Sequence, residues 1–279
     1  MAMKLSVSAR VVEKFQDKRQ ANMSLVELAD LVATEGYAAL CMRASQLGTQ
    51  TPIEEVREHY KLLAERGLQV SMVTGDFPIP ENTGDGPQAL RDIVPYLDLA
   101  DALECDLMRI AMKTEEDIPW AQRAADQAKE RGMRLAHQCH TASLFEQVDD
   151  SLEVLARVGR SNFGIIYEPA NLDLCGQDYG AETIKRFEPH LFNVYLQNHV
   201  LHADGETKLT TWCQGEVSFD QIPIWESGGL DFRPMFAALA EIEYTGYVTV
   251  HQAFAGLRGP EEATRSSARW LRTMGSFAE

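Results

Sequence analysis

Short apolar runs rich in β-branched residues alternate along this chain with longer stretches whose apolar positions recur at helical spacing. The short runs are KLSVSA (4–9), YAALCMR (37–43), LQVSMVT (68–74), DLMRIAM (106–112), RLAHQC (134–139), FGIIYE (163–168), FNVYLQN (192–198) and YVTVHQ (247–252). Their starts fall about 30 residues apart, the length of a βα repeat, until a last interval of about 55. The stretches between them carry helix grammar. LVELADLVATEG (25–36) stops on Gly, and TPIEEVREHYKLLAERG (51–67) opens with a Thr cap and Pro and ends on Gly. TEEDIPWAQRAADQAKERG (114–132) places acids first and bases last, as the helix dipole favours. LFEQVDDSLEVLARVG, FRPMFAALAEIEY and PEEATRSSARWLRTMG supply later helices. Strands joined by helical crossovers form a parallel sheet, so eight strands and about eight helices predict a (β/α)8 TIM barrel. One domain over residues 1–279 is expected. The rival, a doubly wound open sheet, lacks a GxGxxG after the first strand.

Two segments outrun ordinary connections. NTGDGPQ (82–88) follows the third strand, and residues 200–232 follow the seventh and hold two of the four tryptophans. In a barrel both lie on the C-terminal face, where active sites are built. The longer one is expected either to close over a substrate or to be an insertion or subunit contact, the chain's one hint of a homo-oligomer.

Composition narrows the partners. Of the 279 residues 45% are hydrophobic and 24% charged, enough for a sizeable core, with no apolar run long enough to span a membrane. The N-terminal MAMKLSVSARVVEKFQ lacks a signal peptide's apolar centre, so a cytoplasmic protein is expected. A net charge of −16 argues against nucleic acid or an anionic membrane as partner and leaves a small molecule. It also disfavours a polyanionic substrate, although a few local arginines suffice to hold one phosphate. The five cysteines form no CxxC pair and read as free thiols packed as small hydrophobes.

The candidate chemistry sits at the C-terminal strand ends. The fifth strand offers Gln138 and His140 on one face, and the sixth ends in Glu168, with Asn171 just past Pro169. The seventh offers Tyr195, Gln197 and His199 on one face, with Asn198 and His202 nearby, and the eighth ends in His251 and Gln252. Arg43, Arg109 and Lys113, from the second and fourth strands, are candidate anchors for a substrate carboxylate or phosphate. A histidine alone at such a place is more often one satisfied by a backbone carbonyl. Three of the seven together with Glu168 make a denser polar set than a core needs.

LAHQCH, IIYEPANL, FNVYLQN, EYTGYVTVHQ and GGLDFRPMFAALAEIEYTGYV resemble strands five to eight of the sugar phosphate isomerase/epimerase family. These are the xylose isomerase-like barrels related to endonuclease IV, and the resemblance runs over essentially the whole chain. It implies one divalent metal on Glu, Asp, His and Glu at those four strand ends, with carboxylates moving a proton between adjacent carbons of a sugar. This chain departs from that set. Gln138 replaces the first Glu, Glu168 the Asp, Tyr195 the His and His251 the last Glu, while Gln197 replaces a lysine. Mg²⁺ suits such a set poorly. The metal expectation is therefore Zn, Mn or Fe on Glu168 and His251 with a further nitrogen from His140 or His199, and the alternative is no metal.

The expected function is isomerisation or epimerisation of a small sugar, keto-sugar or cyclitol. Glu168 serves as base and His251 as partner acid or metal ligand, with Gln138, His140, Asn171, Tyr195, Gln197, Arg43 and Arg109 around the substrate. A lyase or dehydratase on the same scaffold, and a non-catalytic sugar-binding or partner subunit, stand as alternatives.

Overall fold

The computed structural model describes residues 2–254 and 257–278. Eight parallel strands close into a barrel: β1 (Lys4–Ser8), β2 (Ala39–Arg43), β3 (Gln69–Thr74), β4 (Leu107–Ile110), β5 (Arg134–Gln138), β6 (Phe163–Tyr167), β7 (Leu191–Leu196) and, after an excursion, β11 (Tyr247–Val250). Every predicted strand is present, and β11 pairs with both β1 and β7 to complete the ring. The expected helices form as α1 (Leu25–Thr34), α2 (Ile53–Glu65), α5 (Ile118–Glu130), α6 (Val148–Val158), α9 (Arg233–Glu241) and α10 (Pro260–Met274). Their ends follow the sequence signals. Ser24 and Glu27 cap α1 reciprocally, and Gly159 closes α6 at a positive φ of 58°.

Four helices carry no clear period in the sequence. These are α3 (Pro78–Glu81), α4 (Val94–Ala102), α7 (Pro169–Leu174) and α8 (Ala181–Phe187). Three of them are shorter than two turns or only just reach them, too short to display an apolar face, and α4 is apolar almost throughout. The α7 helix consists of PANLDL, with Pro169 at the first position where its missing N–H is harmless.

Inside the barrel, Cys41, Met72, Leu107, Ala136, Ile166 and Tyr195 form a packed plug. Two pairs of polar residues in the interior satisfy one another. Ser6 and Ser71 share a hydrogen bond of 2.7 Å, and Thr249 donates to Asn193 at 3.0 Å.

The long segment after β7 is not an irregular loop. It contains β8 (Asn198–Leu201), β9 (Thr207–Thr211) and β10 (Gly215–Ile222), an antiparallel sheet in the order β8-β10-β9. The sheet reaches over the barrel mouth, and Leu209, Thr210, Phe219 and Gln221 line the cavity beneath it. Its far turn is held by one buried carboxylate. Glu146 accepts the N–H groups of Trp212 (2.9 Å), Cys213 (3.0 Å) and Ala142.

Hydrogen bonds to an ionised group contribute roughly 1.5–3 kcal/mol each, so Glu146 sets how often the turn detaches. Glu146→Ala is expected to speed limited proteolysis within residues 202–215 about tenfold or more, while the barrel still melts cooperatively. Equal cleavage of the two proteins would show that the turn is anchored elsewhere.

Candidate functional site

The C-terminal strand ends enclose a cavity of about 250 Å³. Its two halves differ in character. From β5, α7, the β7–β8 junction and β11 come Gln138, His140, Asn171, Gln197, His199 and His251. From the β1–α1 connection, β2 and β4 come Arg10, Lys18, Arg43 and Arg109. Glu81 is the one carboxylate among the lining residues, and it faces Arg19 at 3.3 Å.

The basic half rests on Glu13, which is fully buried. Its carboxylate accepts from Arg43 Nε (2.9 and 3.1 Å), from Arg10 Nη1 (3.2 Å) and from Ser45 Oγ. Arg10 spends its other donors on the carbonyls of Lys14 (2.7 Å) and Phe15 (2.9 Å), which shapes the loop that carries Lys18. Burial works against the Arg43 charge, but Glu13 outweighs it and holds the guanidinium above its ordinary pKa. Arg10 shares that carboxylate yet drops to about 10 through burial and the neighbouring Arg43. Arg109 also falls to about 10, chiefly by burial, and the half-buried Lys18 falls to about 7 through burial and the three arginines. Nη1 and Nη2 of Arg43 and Nε of Arg109 are buried and have no partner among the described residues.

On the neutral half, Glu168 caps β6 with a fully buried carboxyl. Asn171 Nδ2 donates to one oxygen at 3.0 Å and Gln197 Nε2 donates to the other. Burial raises its pKa to about 8, although Gln197 and Arg109 pull the other way. Glu168 thus stands behind the cavity wall, covered by two amides that line it. His251 is held well below its usual pKa by burial and then by the surrounding cations, so the imidazole is neutral, and its Nδ1 has no partner. Nδ1 of His140 lies 2.8 Å from Nδ2 of Asn82, in the turn after α3, and 2.8 Å from the Thr141 carbonyl.

Several expectations change here. Tyr195 does not line the cavity. It belongs to the plug, its hydroxyl 3.1 Å from Cys41 Sγ and its ring stacked under His251 with centroids 3.8 Å apart. Lys113 is turned aside onto the Ala142 carbonyl at 2.5 Å, and His202 pairs with Asp220 at the exposed rim. The set Glu168, His251, His199 and His140 is not gathered as metal ligands. His199 is bound to Asp173 at 2.8 Å, His140 to Asn82, and Glu168 to its two amides. Among the described residues, the three-ligand group close enough for one ion is Glu146, Cys175 and Cys213. There the Glu146 oxygens already serve the backbone of the β9–β10 turn.

The sequence reading missed Arg10, Lys18 and Asn82. Arg10 lies two residues past the end of β1, so the strand-end rule applied to the first strand would have found it. Nothing local marks Lys18 or Asn82.

A divalent cation does not fit the strand ends where the family keeps one. The donors there are an amide, a carboxyl whose two oxygens are taken by Asn171 and Gln197, a phenol bound to a thiol, and an imidazole.

The chain belongs to the xylose isomerase-like TIM barrel family, whose model matches residues 29–274. Comparison with curated protein sequences gave no match. Among solved structures it resembles a probable 3-DHS dehydratase of Bacillus anthracis, with a TM-score of 0.75 and 14% identity over 97% of this chain and 99% of that one. It also resembles a D-allulose 3-epimerase from Methylomonas sp., at 0.69 and 15% over 98% of each chain. A barrel from Mycobacterium smegmatis in complex with magnesium matches at 0.67 and 15%, over 98% of this chain and 97% of that one. Identities this low establish the fold.

Removing Glu13 strands two buried cations, which typically costs about 3–5 kcal/mol. Glu13→Gln is therefore expected to lower the urea midpoint strongly, whereas Arg109→Met, which removes an unpaired buried charge, is expected to raise it. Denaturation of the ligand-free proteins checks both directions.

Proposed function

We propose that the protein is an enzyme that moves a proton on a carbon next to a carbonyl of a small polyhydroxylated substrate, an isomerase or epimerase of the sugar, keto-sugar or cyclitol class. The observation that carries this reading is Glu168, a carboxyl at the end of a barrel strand whose pKa is pushed up to about 8. A group that titrates near neutrality both takes and returns a proton, which is what acid–base catalysis requires.

In this reading the substrate displaces the amides of Asn171 and Gln197 from Glu168 and binds them through its hydroxyls. Ionised Glu168 removes the proton from the carbon beside the carbonyl. The electron pair moves to the carbonyl oxygen and forms an enediolate, whose negative charge the Arg109 guanidinium offsets. Return of the proton by Glu168 to the neighbouring carbon isomerises the substrate. Inversion of the centre instead needs a proton delivered to the other face, from water or from His251 once it has taken up a proton from solvent. Loss of a β-hydroxyl from the same enediolate would instead give a dehydrated product. The epimerase and the dehydratase among the structural neighbours are precedents for both outcomes on this scaffold.

Deuterium uptake from D2O, followed by NMR across a panel of keto-sugars and cyclitol ketones, tests the reading. Wild type is expected to exchange the proton beside the carbonyl, and Glu168→Gln to slow it by roughly 10²–10⁴-fold. The base is the ionised form, so the rate should rise with pH up to about 8 and then level off. If no substrate exchanges in wild type, the cavity binds without catalysing.

A further inference from the structure

We infer that the ligand of this cavity carries an anionic group, a carboxylate or a phosphate, seated against Arg43, Arg109 and Lys18 on the β1–β4 side of the mouth. This deepens the proton-transfer reading by naming the substrate's charge, and it rests on that reading only for which end of the ligand reacts.

The argument begins with donors that lack acceptors. Arg43 is 1% exposed and Arg109 is 2% exposed, yet both Nη atoms of Arg43 and Nε of Arg109 are buried without a protein partner among the described residues. A buried guanidinium without a counter-charge is strongly unfavourable, and chains seldom keep one unless something outside the chain completes it. Glu13 does not complete Arg43, because it takes Nε and leaves the outer edge of the fork free. That edge presents two parallel N–H donors, the geometry that matches a carboxylate or phosphate bidentately. Arg10 is different. Three of its donors go to Glu13 and two backbone carbonyls, so it is a positioning residue for the loop that brings Lys18 to the cavity.

Charge balance points the same way. Three arginines and Lys18 line one cavity of a chain whose net charge is −16; the acids beside them are the single lining carboxylate of Glu81 and Glu13, which is shared by Arg10 and Arg43. Water or a sugar hydroxyl can accept a hydrogen bond from these donors but cannot offset their charge. An anion does both, and the focused positive potential of the cleft would also draw it from solution. The opposite half of the cavity has amides and imidazoles suited to hydroxyls. The division therefore orients the ligand: its anionic end lies by β2 and β4, and its hydroxylated carbonyl end lies toward Glu168.

Calorimetric titration of the full chain with inorganic phosphate, D-gluconate and D-glucose tests this. At least one anion is expected to bind saturably, at least about tenfold more tightly than D-glucose, and to weaken as ionic strength rises. The tighter anion identifies the group. Arg109→Gln is expected to reduce its affinity about tenfold or more, and Arg109→Lys to restore part of the loss, with far-UV circular dichroism unchanged in both. The inference is overturned if D-glucose binds as tightly as both anions, if neither anion binds at millimolar concentration, or if folded Arg109→Gln binds the anion as well as wild type. The two readings fail separately. Proton exchange on a neutral keto-sugar that phosphate does not inhibit would sink the anion site and leave proton transfer standing. Anion binding without exchange on any anionic or neutral substrate would do the reverse.

Discussion

The barrel mouth is organised around the buried carboxylate of Glu13. It joins the β1–α1 connection to β2 by accepting from Arg10, Arg43 and Ser45 at once. Without it the two guanidiniums would repel each other in a low-dielectric pocket and the loop bearing Lys18 would lose its anchor. Because Glu13 binds Arg43 through Nε, the outer edge of the fork is left without a protein partner among the described residues. The carboxylate thus supplies both the stability of this wall and its unmet demand for an anion.

Glu168, across the cavity, shows how environment divides the roles of identical groups. Glu13 meets two arginines and a hydroxyl, while Glu168 meets amides and burial and is pushed up to about 8. The same contrast explains why the family's metal set has no counterpart here. A divalent cation needs ionised oxygens, and those strand ends offer an amide, a phenol and an imidazole beside one carboxyl, with guanidiniums on the facing half. In the proposed chemistry the positive charge that an enediolate requires comes from Arg109, fixed to its strand. Over the top, the β8-β10-β9 sheet shields these charges from water, which strengthens them.

Much of the fold was legible in the chain. All eight barrel strands were marked by short runs rich in apolar and β-branched residues, as strands buried on both faces of a parallel sheet are. The longer helices were marked by their caps and period. The lid sheet was not, because β9 and β10 lie largely at the surface and read as polar loop. The α7 helix was hidden for another reason: six residues are too few to show a period. At the site, Gln138, His140, Asn171, Gln197 and His251 were found by strand-end position and do face one cavity. Tyr195 shared that position and parity, yet it sits one layer down in the plug.

What the sequence determined by itself is the barrel and the ring of polar residues at its C-terminal rim, because both follow from periodicity along single strands. What only the tertiary structure decided is the electrical character of that rim. Arg10, Lys18, Arg43 and Arg109 are spread over a hundred residues of chain, and no local pattern links them. Whether each is neutralised depends on which acids fold beside it: Glu13 reaches two, and none reaches Arg109 within hydrogen-bonding distance among the described residues. Coulomb energy depends on distance in space and on burial, and neither can be read along the chain.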